Sequence, residues 1–87
     1  MNIQTQLGSR VRDIRQRKGL TQAEVADVCG IEQSYLSRIE RGEFRPQLDT
    51  IVLLAQGVRV TLSELFEGIE IEDLWAKRES KTPMEGV

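Results

Sequence analysis

Between Thr21 and Gly42 the chain places helix starts and stops so close together that little except a pair of short helices fits. Thr21 and Glu24 form a T-x-x-E capping box, in which each side chain bonds the other residue's backbone N–H, so a helix is expected from Gln22. Val25, Ala26, Val28 and Cys29 supply its apolar stripe at helical spacing. Gly30 ends it, because the residue after a helix often needs a positive φ that glycine adopts without a Cβ clash. A second helix is expected over about Glu32–Arg41, with Leu36 and Ile39 inward, Ile31 at the turn and Gly42 closing it. Two helices joined by a short turn containing glycine form a helix-turn-helix unit.

The outward face of the second helix is polar without a structural need to be. Gln33, Ser37 and Arg41 recur at i, i+4 and i+8, and Ser34 and Arg38 at i and i+4, opposite Leu36 and Ile39. Glutamine pairs bidentately with adenine, arginine with guanine, and serine with either, so these side chains suit the reading of base edges in duplex DNA. A solvated face with no partner is the plain alternative. The glycine placement, the flanking apolar pattern and the stripe itself weigh against it. Glu32 at the helix start suits the helix dipole but would repel a nearby phosphate.

The run from Arg10 to Phe66 resembles the phage-repressor-like helix-turn-helix family (Cro/cI type, also called XRE). The match lies in Gln22 opening the first helix of the motif, Ala26 at a close helix–helix contact, Gly30 in the turn, and Leu36 and Ile39 in the core. The resemblance implies an all-α fold: a five-helix, repressor-like domain that binds a double-stranded DNA operator as a homodimer and regulates transcription. By position it implies that Gln33, Ser34 and Arg38 reach bases, while Gln22, Ser37, Arg41, Gly42 and Arg45 hold phosphates. It also implies a partly buried salt bridge between Arg15 and Glu40. In its short length the chain resembles restriction–modification controller proteins and small phage repressors. Antitoxins and protein-interaction modules of the same fold are the rival reading, with a toxin or RNA polymerase as partner. A module that has drifted to pure protein binding should have lost Gln33, Ser34 and Arg38 to acidic or bulky apolar residues.

At 87 residues the chain is expected to form one small domain whose modest core gains from dimerisation. Its net charge of −2 looks wrong for a DNA binder until the distribution is read. Residues 1–63 hold nine Lys/Arg against seven Asp/Glu, and residues 64–87 three against seven. A local basic patch binds phosphate even on an acidic chain, but the acidic total favours reliance on base contacts over strong non-specific binding. The chain has no histidine and one cysteine, which leaves no zinc site and no internal disulfide. Cys29, within an apolar stripe, is expected to be a buried structural thiol; a redox switch is the lesser reading. With no nucleophile motif and no phosphate-binding glycine loop, neither an enzyme nor a cofactor is expected. No signal peptide or long apolar run appears, so a cytoplasmic protein without membrane contact is expected.

A first helix is expected over Ile3–Lys18, burying Leu7, Val11 and Ile14, with Arg10, Arg12 and Arg17 in solvent and some of them near the DNA backbone. After it, Gly42 is expected to free a backbone N–H for a phosphate, and Phe44 to pack back on the core. A fourth helix is expected over Gln47–Val58, with Leu48, Ile51, Leu54 and Ala55 inward and a weak cap at Gln47. The family usually has glycine where this chain has Arg59, so either Arg59 takes a left-handed conformation or the helix ends early. A second capping box, Thr61 and Glu64, starts a fifth helix that ends at Gly68. The expected organisation is therefore a DNA-binding domain over residues 1–68, a short C-terminal helix over 69–79, and a tail over 80–87. Leu62, Leu65 and Phe66 are expected to face inward or toward a dimer partner, and Leu74 and Trp75 are further candidate dimer contacts, with cover for the domain's own core an equal alternative for Trp75.

Overall fold

A computed structural model describes residues 2–70, and among these every regular element is helical: α1 (Ile3–Arg17), α2 (Gln22–Cys29), α3 (Gln33–Glu40), α4 (Leu48–Gly57) and α5 (Leu62–Phe66). Local chemistry sets the starts. The Asn2 side chain accepts from the Thr5 amide at 2.8 Å and caps α1. The Thr21–Glu24 and Thr61–Glu64 boxes are both closed reciprocally, with bonds of 2.9–3.1 Å. Helices α3 and α4 begin at Glu32 and Gln47 with no side-chain cap. Gly30 stops α2 at φ 70°, turning the chain directly into α3.

The five helices enclose one core. Leu7, Val11 and Ile14 of α1 meet Leu36 and Ile39 of α3, and Val25, Ala26 and Cys29 of α2 meet Leu54, Ala55 and Val58 at α4. Leu65 of α5 closes the cluster and is fully buried. Small residues let helices approach closely. A Cβ on Gly8 would run into the carbonyls of Ile39 and Glu40, which places α1 against the end of α3. A Cβ on Gly57 would lie 2.6 Å from Cys29 Sγ and 3.1 Å from Val25, so α4 packs on α2 only with glycine there. The Cys29 thiol donates to the Leu53 carbonyl at 3.1 Å, and burial pushes its pKa up, which suits a structural role.

Several expectations need correction. Val28 is 64% exposed: it projects sideways from the α2 face that Val25, Ala26 and Cys29 share. Leu48 is 78% exposed, because it stands at the open first turn of α4, ahead of the stretch that packs inward. The alternatives at the end of α4 both occur. The helix ends at Gly57 and Arg59 takes φ 64°. Lys18 Nζ donates to the Arg59 carbonyl at 2.5 Å, and the Val60 amide bonds back to Ala55 at 2.9 Å. Arg10 is not simply solvated: it donates to the Glu64 and Leu65 carbonyls at 2.8 and 3.3 Å, satisfying the C-terminal end of α5.

Beyond α5, Ile69 packs on the core. Gln6 grips the Glu70 backbone from both sides, donating to its carbonyl at 2.9 Å and accepting from its amide at 2.8 Å. Ile69 and Glu70 are not helical. The rest of the expected helix over 69–79, with Leu74 and Trp75, and the tail over 80–87 lie outside the described residues. No described helix is long and apolar enough to cross a membrane.

Candidate nucleic-acid interface

Helix α3 has two opposed faces. Leu36 and Ile39 anchor the inner one at 0% and 1% exposure. Beside them Glu40 is buried and accepts from Arg15 twice, Nε to Oε2 at 2.8 Å and Nη2 to Oε1 at 3.0 Å. Gln22 donates to the same Oε1 at 3.0 Å, and the remaining Arg15 nitrogen donates to the Leu20 carbonyl at 2.9 Å. The Arg15–Glu40 pair therefore ties α1 to α3 while Gln22 links α2 to both. The cluster fixes the pitch of α3 on the domain.

The outer face carries Gln33, Ser34 and Arg38, all exposed. The Arg38 guanidinium lies 4.1 Å from the centre of the Phe44 ring, a cation–π stack that holds a long side chain in one place. Phe44 is half-buried and packs in turn on Tyr35, with ring centroids 5.4 Å apart. Arg41 Nη1 donates to Ser37 Oγ at 2.6 Å, and Arg45 Nε donates to Gln4 Oε1 at 2.8 Å. An open groove of about 270 Å³ runs beside this face, lined by Arg12, Arg15, Gln22, Ser37, Glu40 and Arg41. It gathers Gln22, Ser37 and Arg41 with Arg12, which is exposed and makes no ion pair among the described residues. Arg45 lies outside that groove.

The sequence reading missed Glu43. Its Oε2 accepts from Arg41 Nε at 2.8 Å, and its Oε1 accepts from Arg38 Nε at 3.3 Å and Arg41 Nη2 at 3.5 Å. The hydrogen bond from Arg41, supported by Arg38, holds the Glu43 carboxyl below the usual range, and Glu43 in turn pushes Arg41 up. No periodicity marks such a pair, because it spans the end of a helix and the following loop.

Two expected site residues are reassigned. The Gly42 amide donates to the Ile39 carbonyl at 2.9 Å, so it is taken up in ending α3 and is not free for a phosphate. Gly42 is needed there for another reason: at φ 77°, a Cβ would lie 2.8 Å from Thr5 Oγ1. Leu65 faces its own core at 0% exposure and has no surface for a dimer partner. Leu62 and Phe66 remain 42% and 39% exposed. Among the described residues no group of His, Cys, Asp and Glu could hold a metal ion.

Residues 11–65 match the helix-turn-helix family HTH_3. The chain is 42% identical over 65 residues to an uncharacterized HTH-type transcriptional regulator of Sinorhizobium fredii, covering 75% of this chain and 84% of that one. It is 39% identical over 64 residues to the HTH-type transcriptional regulator DdrOP3 of Deinococcus deserti, covering 74% of this chain but spanning only 50% of that regulator's length. Its fold superposes on the crystal structure of the restriction-modification controller protein C.AhdI from Aeromonas hydrophila with a TM-score of 0.69 at 35% identity, covering 72% of this chain and 96% of that one.

Proposed function

The chain belongs to the helix-turn-helix family and carries that family's DNA-binding regulator domain, and from this premise we propose that it acts as a homodimer on a two-fold-symmetric operator. The observation that carries this reading is the exposed Gln33, Ser34 and Arg38 stripe on a helix locked from behind by Leu36, Ile39 and the Arg15–Glu40 pair. In the major groove Gln33 suits adenine, Arg38 guanine and Ser34 either base. Arg12, Ser37, Arg41 and Arg45 meet flanking phosphates, and Gln22 joins them through the amide hydrogen that Glu40 leaves unused. These contacts set register, and the α3 side chains set sequence.

A dimer places two such helices about 34 Å apart, one DNA turn, so the operator is palindromic. Leu62 and Phe66, one turn apart on α5, give the partner an apolar footing. The protein works in the cytoplasm and without a catalytic step. A protein-interaction module that has lost DNA binding is disfavoured, because the outer face of α3 keeps Gln33, Ser34 and Arg38.

A fluorescence-anisotropy titration tests this, using DNA from upstream of the protein's own gene, a scrambled duplex as control, and two salt concentrations. Saturable binding to the upstream fragment alone, at two chains per site, is expected for an autoregulatory dimer. Weak binding, equal on both duplexes and lost in salt, would remove this promoter as the target. A stoichiometry of one chain per site would remove the dimer.

A further inference from the structure

The acidic side chain that Arg38 and Arg41 share runs against phosphate binding at the end of α3. We propose that Glu43 is an internal competitor for DNA: its carboxylate holds both guanidiniums until a phosphate and a base edge displace it, and it thereby suppresses binding to unrelated duplex. The inference rests on the DNA-facing reading of α3 given above.

The geometry suits an exchangeable partner. A carboxylate presents two acceptor oxygens to a guanidinium much as a phosphate does. Glu43 offers Oε2 to Arg41 Nε at 2.8 Å and shares Oε1 between Arg38 at 3.3 Å and Arg41 at 3.5 Å. Its backbone is held in place, because the Glu43 amide donates to the Arg38 carbonyl at 2.9 Å just after Gly42 turns the chain. All three side chains are about half exposed, at 45% for Glu43, 51% for Arg38 and 55% for Arg41. Exposed pairs of this kind add little to stability, so holding the fold together does not account for the arrangement. When Glu43 lets go, the Phe44 ring still positions Arg38, so release leaves a reader already in place.

The consequence is selective. Unrelated DNA offers phosphates alone and must break the Glu43 contacts to gain one at Arg38 or Arg41. An operator replaces them with a base edge at Arg38 and a phosphate at Arg41 together. Removing the carboxylate therefore helps unrelated duplex more than it helps the operator.

The test compares the full chain with Glu43→Gln, Arg41→Ala and Glu32→Gln, using anisotropy on a random-sequence duplex across a salt series, with melting temperatures as fold controls. Glu32 is exposed at the opposite end of the same helix and makes no side-chain cap bond, and so reports the general effect of losing one negative charge. Glu43→Gln is expected to bind about tenfold tighter and to steepen the salt dependence by about one unit of log–log slope, as for one more phosphate contact. Glu32→Gln should tighten binding less. In an Arg41→Ala background the Glu43→Gln effect should shrink to that of Glu32→Gln. Equal tightening by the two glutamine variants, or none by Glu43→Gln, would overturn the competitor while a weakening by Arg41→Ala leaves the DNA reading standing. If Arg41→Ala also binds as the wild type does, the DNA face itself is wrong and the inference falls with it.

Discussion

Glu40 and Glu43 each bind guanidinium groups at the end of the same helix, yet they sit in opposite surroundings. Glu40 is buried, its side chain 3% exposed against an Arg15 that is 11% exposed, and it accepts from Arg15 and Gln22. Glu43 is 45% exposed and binds arginines more open still. Access to water decides what each cluster can do. A desolvated pair cannot trade partners, because an unpaired charge would be stranded. A hydrated pair can exchange at small cost, because water or an incoming phosphate replaces what is lost. The first cluster therefore sets where α3 points, and the second sets what α3 will accept.

The sharpest way to break this contrast is Glu40→Ala. It leaves the Arg15 guanidinium buried without its anion, and the expected loss is about 3–5 kcal/mol in urea unfolding, a large share of a small domain's stability. Replacing both partners, Arg15→Met with Glu40→Leu, should recover most of that loss. If Glu40→Ala unfolded at the wild-type midpoint, the buried cluster would be as dispensable as the exposed one and the distinction would collapse.

The two clusters were also unequally legible in the sequence. The Arg15–Glu40 pair comes within reach of periodicity, since Arg15 follows the buried Ile14 and Glu40 follows the buried Ile39. The capping boxes at Thr21 and Thr61 and the turn at Gly30 are local chemistry, and local chemistry is written in neighbouring residues. Glu43 is not, because its partners lie across a helix end whose loop geometry the sequence does not print. The same holds for Gly8 and Gly57, where a close helix contact needs both partners in view. Val28 and Leu48 misled for a different reason: an apolar stripe on a short helix has too few turns to define its centre, so a flanking residue is easily counted inside. Gly42 misled because a helix-ending glycine has two possible uses for its amide, and the bond to Ile39 settles which one applies.

A smaller effect sharpens the other half of the contrast. Arg38→Ala removes an exposed side chain from the outer face and is expected to leave the melting temperature nearly unchanged. On operator DNA it should lose about 1–3 kcal/mol of affinity and relax discrimination at one base position. An equal loss on every sequence would make Arg38 a phosphate contact, and a substantial fall in melting temperature would give the Arg38–Phe44 stack a share in the fold.

The smallest effect separates exposed carboxylates from one another. Glu24 and Glu64 are held below the usual carboxyl range first by the backbone bonds at Thr21 and Thr61, and Glu43 first by the Arg41 hydrogen bond. In each case the folded pKa lies below the unfolded one. Each contribution is therefore fully present above the ordinary carboxyl range and is lost as pH falls through the lowered folded value. Acid thus acts on all three, but salt does not. At 1 M salt the screening length is about 3 Å, which weakens the charge–charge attraction around Glu43, whereas the hydrogen bonds that close a capping box stay short-range and within one helix turn. Melting curves across the acid range, at low and at high salt, should show a pH-dependent part that Glu24→Gln removes under both conditions. A second part, removed by Glu43→Gln, should be smaller at high salt than at low salt, because the attraction to Arg41 and Arg38 is screened while the Arg41 hydrogen bond remains. A Glu43 contribution undiminished at high salt would mean that its pairing is shielded from solvent after all, and would move it toward the behaviour of Glu40.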